Sequence, residues 1–193
     1  MSPSDPAVWD AGWWQPARQR VSPNFDARPA DQAIELAVIH SISLPPGVYG
    51  GDEIHALFTN QLDPQAHPYF ADVAQLKVSS HFLIRRDGQC EQYVSIFDRA
   101  WHAGLSQWRG RQRCNDYAIG IELEGLEHTP FEASQYVTLV RLLRAISCIC
   151  PLTTVVGHEH VSPGRKSDPG SAFDWSTVRS ELADLALSWP DDM

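Results

Sequence analysis

Residues 155–170 read Val-Val-Gly-His-Glu-His-Val-Ser-Pro-Gly-Arg-Lys-Ser-Asp-Pro-Gly and concentrate groups able to do chemistry. His158 follows a short β-branched run, 153–156, which predicts a buried strand ended by Gly157. Asp168 stands ahead of Pro169-Gly170, a turn pair that fixes the backbone just after a carboxylate. Between them lie a second turn, Pro163-Gly164, and the basic pair Arg165-Lys166. A turn-rich loop leaving a strand holds such groups on a rigid base. A second histidine, His40, sits near the end of the apolar run 35–43. In an apolar strand a histidine is either a satisfied core residue or a ligand. Two strands that each deliver a histidine, with a carboxylate from a loop, would make the ligand set of a hydrolytic zinc site with one position open. Zinc in such a site acidifies water and polarises a carbonyl. No H-E-x-x-H helix is present, so spacing alone leaves both readings standing.

Residues 117–125 add a further candidate. Their alternation puts Ile119, Ile121 and Leu123 on one face and Gly120, Glu122 and Glu124 on the other. Two carboxylates on one face are costly unless that face is wet or functional. The segment is therefore either a solvated edge strand or the wall of a site.

These groups need a scaffold, and the chain supplies one. Residues 1–33 carry no sustained period and predict an irregular arm anchored by Trp9, Trp13 and Trp14. Run 35–43 predicts a central strand stopped by Leu44-Pro-Pro-Gly47. A short helix over 50–60 presents Ile54, Leu57 and Phe58. Strands over 78–86 and 89–96 flank the hairpin signal Asp87-Gly88, and His81 in the first of them either faces a site or packs. The following loop holds Trp101, His102 and Trp108, aromatics suited to stacking on a sugar or to core packing. Thr129-Pro-Phe-Glu132 has the form of a capping box, opening a helix that runs to Cys150 with Tyr136, Val140, Leu143 and Ile146 on its apolar face. Asp174 caps a last helix with the stripe Val178, Leu182, Leu185 and Trp189. The order of elements predicts an α/β (α+β) domain in which helices flank one central mixed sheet.

At 193 residues and 43% hydrophobic content, the chain is long enough for one well-buried domain and too short for two ordinary ones. The whole of 1–193 reads as that domain, with its core over 34–189. A net charge of −9 and the lack of a Lys/Arg run exclude general nucleic-acid binding. A small anionic substrate remains open if Arg111, Arg113, Arg165 and Lys166 gather locally. No apolar stretch approaches the roughly 20 residues of a membrane span, and the opening Met-Ser-Pro-Ser-Asp-Pro lacks the features of a signal peptide. Cys90, Cys114, Cys148 and Cys150 form no C-x-x-C pair, which predicts reduced thiols in a cytoplasmic protein, with Cys148 and Cys150 buried in a helix.

Six stretches together resemble the AmpD family, the cytoplasmic 1,6-anhydro-N-acetylmuramyl-L-alanine amidases that recycle cell-wall fragments. They are His40-Ser-Ile-Ser-Leu-Pro-Pro-Gly47, Asp63-Pro-Gln-Ala-His-Pro-Tyr-Phe70, His81-Phe-Leu-Ile-Arg-Arg-Asp-Gly88, Arg99-Ala-Trp-His-Ala-Gly104, Cys114-Asn-Asp-Tyr-Ala-Ile-Gly-Ile-Glu-Leu-Glu-Gly125, and 157–170. The likeness runs from about Trp13 to Val178. It implies a fold similar to phage-type amidases and peptidoglycan recognition proteins. It also implies zinc (Zn2+) held by His40, His158 and Asp168, with Glu122 and Lys166 in the catalytic positions. The implied substrate is a small anionic muropeptide, cleaved between the lactyl group of anhydro-N-acetylmuramic acid and L-alanine. Glu122 would remove a proton from the attacking water and pass it to the departing amine, and Lys166 would add positive charge beside the oxyanion. Members often carry Asn where this chain has Ser41, and His160 replaces a non-histidine residue, placing an alternative ligand beside His158. In an extended segment those two would project to one side; the expectation is that zinc needs His40, His158 and Asp168 and does not need His160. Two rivals are a muropeptide-binding module without catalysis and an amidase of polymeric murein. The full ligand set with Glu122 and Lys166 argues against the first, and the lack of an export signal against the second.

Overall fold

A computed structural model describes residues 8–192. In chain order its first elements are β1 (Trp9–Asp10), β2 (Trp13–Trp14), β3 (Arg18–Gln19), β4 (Phe25–Ala27), β5 (Leu36–Ile42), α1 (Glu53–Phe58) and α2 (Phe70–Val73). There follow β6 (Phe82–Ile84), β7 (Cys90–Gln92), β8 (Asp98–Ala100), β9 (Gln107–Trp108), β10 (Arg111–Gln112) and β11 (Ala118–Glu124). The chain closes with α3 (Ala133–Ser147), β12 (Thr154–Gly157), α4 (His158–Val161) and α5 (Trp175–Glu181). The main sheet has the order β12-β5-β11-β6-β7-β3. Strands β12, β5, β11 and β6 are parallel, β7 runs antiparallel to β6, and β3 parallel to β7. The sheet is mixed, as the order of elements predicts.

Its two faces do different work. Ala37 and Ile39 of β5, with Ile119, Ile121 and Leu123 of β11, pack against Leu139, Leu142, Leu143 and Ile146 of α3 and Val178 of α5. Burying each Leu or Ile side chain contributes about 1.5–3 kcal/mol, so this layer dominates the core. The opposite face carries His40 and Glu122 amid two smaller apolar clusters, one around Leu57, Phe58 and Tyr93 and one around Val38, Trp108 and Val156. Strand β11 lies between β5 and β6, with Glu122 and Glu124 both buried. The edge-strand reading of the glutamates therefore fails.

The arm is more regular than its composition predicts. Trp14 is buried, and β3 adds the sixth strand to the main sheet while β4 pairs with β8. Short ladders of two or three residues leave no period to read. The hairpin strands β6 and β7 are shorter than predicted at both ends; at the inner ends the turn closes early, Arg85 N–H donating to Gln89 and Gly88 N–H to Arg85. Helix α3 begins later than the Thr129 motif predicts: Glu132 is its N-cap, and Gln135 Oε1 accepts from the Glu132 N–H at 3.0 Å. Its buried face is also rotated toward Leu139 and Leu142. Gln135 lies on that face and donates to the carbonyls of Ile84 and Glu124, which ties the helix to two strand ends. The helix stops at Ser147, so Cys148 is exposed while Cys150 packs in the core. All four cysteines are free thiols.

Helix α5 begins as expected, with Asp174 Oδ1 accepting from the Thr177 N–H at 3.0 Å. It ends at Glu181, short of the predicted stripe, although Leu182 and Trp189 still pack in the core. Asp174→Ala removes that cap and is expected to destabilise the protein by about 1 kcal/mol. Urea unfolding should show a lower midpoint with an unchanged slope; an unchanged midpoint would mean that the cap contributes nothing.

Candidate metal centre and active-site cleft

Parallel strands that end together leave a crevice at their carboxyl ends, where sheets of this kind hold ligands. Glu122 stands opposite His40 in the β11–β5 ladder, and Gly157 stands opposite Ile39 in the β12–β5 ladder. His158, one residue past Gly157, is thereby delivered to the level of His40. Asp168 returns to the same point because its carbonyl accepts from the Glu159 N–H at 2.9 Å. Gly170 closes the loop at φ +86°, with a Cβ there only 2.4 Å from the Glu127 carbonyl oxygen, so glycine alone fits.

The three side chains meet. His40 Nδ1 lies 3.0 Å from His158 Nδ1, and Asp168 Oδ2 lies 3.1 Å from each. A tetrahedral ion with bonds of about 2.0–2.1 Å would set its ligands roughly 3.3 Å apart, close to these separations. The protons argue the same way. His158 Nε2 faces the Ala103 carbonyl at 3.3 Å, an acceptor that takes a ring proton there and leaves Nδ1 turned toward the other two donors. His158 Nδ1 stands 3.1 Å from Asp168 Oδ2, and a cation between a ring nitrogen and a carboxylate oxygen makes that arrangement favourable. Burial, with His158 close by, lowers the His40 pKa to about 4 despite the opposing pull of Asp168, leaving a neutral imidazole at physiological pH. Two imidazole nitrogens and one carboxylate oxygen fit zinc by donor type and by spacing.

The triad lies in a cleft of about 420 Å3 that Glu122, Lys166, Ser41 and Trp101 also line. Glu122 Oε2 is buried and has no hydrogen-bond partner among the described residues. Burial pushes this carboxyl well up, the neighbouring charge of Asp168 adds to the rise, and Lys166 opposes it. Glu124 shares the strand face yet is committed elsewhere: it accepts from Arg85 at 3.0 Å and from the Gly50 N–H at 2.7 Å. Alternation could not choose between the two glutamates; their partners do.

Other sequence candidates lie apart from the triad. His160 sits in the helical turn α4 beside His158, where its Nδ1 accepts from the Gly157 N–H at 2.9 Å and its ring packs on Trp175. The turn replaces the extended geometry that would have aligned it with His158. His81 is buried, accepting from the Gly120 N–H at Nδ1 and donating from Nε2 to the Asp98 carbonyl, so it packs and does not reach the triad. The basic residues do not gather, since the three arginines each have partners of their own. Arg111 pairs with Glu35, Arg113 with Asp116, and Arg165 donates to the carbonyls of Ala103 and Leu105; of the four, Lys166 lines the cleft. Trp108 is core, while Trp101 is half-buried in the cleft wall. One close neighbour of the triad was read only as a loop aromatic: His102 Nδ1 lies 3.0 Å from His40 Nε2. No period or spacing in the loop marks it.

Known proteins are similar to this chain in sequence and in fold. The chain is 52% identical over 172 residues to the 1,6-anhydro-N-acetylmuramyl-L-alanine amidase AmpD of Escherichia coli K12, covering 88% of this chain and 94% of that one. A crystal structure of a selenomethionine AmpD derivative superposes with a TM-score of 0.85 at 49% identity, over 89% of this chain and 97% of the other. AmiD of E. coli, in complex with the substrate anhydro-N-acetylmuramic acid-L-Ala-D-γ-Glu-L-Lys, gives a TM-score of 0.59 at 29% identity, over 86% of this chain and 63% of AmiD. Residues 30–171 match the N-acetylmuramoyl-L-alanine amidase profile, and the chain belongs to that family.

Proposed function

We infer that this protein hydrolyses the amide between the lactyl group of anhydro-N-acetylmuramic acid and L-alanine in soluble muropeptides of the cytoplasm, with zinc held by His40, His158 and Asp168. The observation that carries this reading is the meeting of those three donor atoms in a cleft that also holds an unpartnered buried carboxylate, Glu122, and a cation, Lys166. Identity of about half over most of the chain to AmpD supports the anhydro substrate. Among the described residues no helix is long and apolar enough to cross a membrane. The structural domain and the catalytic unit are one and the same in this reading, with residues 34–189 carrying every proposed site residue.

Zinc, held by His40, His158 and Asp168, would supply Lewis acidity to the carbonyl and to the attacking water. The protein does the rest. Glu122 Oε2, raised in basicity by burial, takes the proton of the attacking water and delivers it to the alanine nitrogen as the C–N bond breaks. Lys166 at the cleft sets a positive charge beside the negative charge growing on the lactyl carbonyl oxygen. His40 and His158 would hold the metal through Nδ1, and Asp168 would supply the one negative charge of the ligand set.

Incubating the zinc-loaded protein with an anhydromuropeptide and, separately, with intact murein sacculi tests the assignment, with products read by mass spectrometry. Free stem peptide is expected from the first and not the second. Release from sacculi alone would instead make this an amidase of polymeric murein. Binding without release from either would make it a recognition module.

A further inference from the structure

His40 has two ring nitrogens, and the proposed zinc reading uses only Nδ1. Its Nε2 lies 3.0 Å from His102 Nδ1. With Nδ1 committed as a ligand, a neutral His40 must carry its proton on Nε2 and donate it, so His102 must accept at Nδ1 and carry its own proton on Nε2. That second nitrogen is covered and has no hydrogen-bond partner among the described residues. Although the His102 ring lines the cleft, neither nitrogen is free to meet a substrate.

Besides His40, several groups outside the triad hold this segment in place. Asn115 Oδ1 accepts from the N–H groups of His102 and Ala103 at 3.3 and 2.8 Å, fixing the backbone. Beneath the ring, strand β11 has Gly120, where a Cβ would stand 2.5 Å from His102 Cγ. The His81 ring meets it edge-on, with centroids 5.7 Å apart. The adjacent carbonyl of Ala103 takes the Nε2–H of His158. One short segment thus faces the outer nitrogen of each histidine ligand.

We propose that His102 is a positioning residue for the metal centre: it accepts the Nε2–H of His40, which fixes the tautomer and the ring orientation that aim His40 Nδ1 at the ion. Gly120 is part of the device, because only a residue without Cβ leaves room for the ring. The proposal rests on the zinc reading above. Partners of this kind around metal ligands are worth about 10–100-fold in metal affinity.

The test is zinc affinity, by competition with a chromophoric chelator, together with the visible spectrum of the cobalt-substituted protein. His102→Leu removes the acceptor and is expected to weaken zinc about 10–100-fold and to shift the cobalt bands. His102→Asn places a carbonyl oxygen near the former Nδ1 and should bind zinc close to wild type with an unshifted spectrum. Gly120→Ala keeps the histidine but displaces its ring, and should resemble His102→Leu; it also serves if the leucine variant does not fold. Wild-type affinity in His102→Leu or in Gly120→Ala would overturn the proposal. So would His102→Asn binding as weakly as the leucine variant, which would mark a packing role alone. Failure of the wild type to bind zinc would overturn the zinc reading itself, a separate result.

Discussion

Glu122→Gln is expected to fold, retain zinc and bind muropeptide, yet turn over about 10²–10⁴ times more slowly. The amide is nearly the same size and cannot take the proton of water. Glu122 Oε2 makes no hydrogen bond among the described residues, so the substitution breaks none there, and neutralising a buried, unpaired carboxylate should leave stability equal or higher. Glu124→Gln should show the opposite pattern. Glu124 is buried against Arg85, and removing a partner from such a pair leaves a charge uncompensated, a loss of about 3 kcal/mol. Arg85 keeps its contact with Glu91 at 3.3 Å, which limits the damage. Turnover per folded molecule should stay close to wild type. Steady-state kinetics with metal analysis and urea unfolding separate the two. Near-normal turnover in Glu122→Gln, or zinc lost from it, would end its proposed role.

The metal ligands should give an all-or-none result. His40→Ala, His158→Ala and Asp168→Ala each remove one of three donors that lie 3.0–3.1 Å apart, and each is expected to purify without zinc and without amidase activity. His160→Ala should retain both, because its ring points toward Trp175 and its Nδ1 is occupied by the Gly157 N–H. Metal content by mass spectrometry decides it. Zinc retained in His40→Ala but lost from His160→Ala would reassign the site.

Much of this is legible in the sequence. The apolar run of β5 announced an interior strand, the alternation of β11 announced a strand with Glu122 and Glu124 on one face, and residues 157–170 announced a loop bearing His158 and Asp168. Length and alternation are local properties, and they survive in the fold. What stayed hidden depends on pairing. The arm's β3 is two residues long and exists only because β7 offers an edge. The face of α3 follows Gln135, a polar residue buried because two strand carbonyls need a donor. The choice of Glu122 over Glu124 came first from resemblance; its physical ground is Arg85, distant in sequence. His102 was hidden for the same reason, since its meaning lies in the single atom of His40 that it faces.

Zinc titration of the chelator-stripped protein, with stem-peptide release from an anhydromuropeptide followed at each step, tests the central assignment most directly. Release should be absent from the stripped protein, rise in proportion to zinc, and level off at one equivalent, with no recovery in His158→Ala at the same zinc level. Undiminished release after stripping, or equal recovery in His158→Ala, would contradict a zinc amidase built on His40, His158 and Asp168.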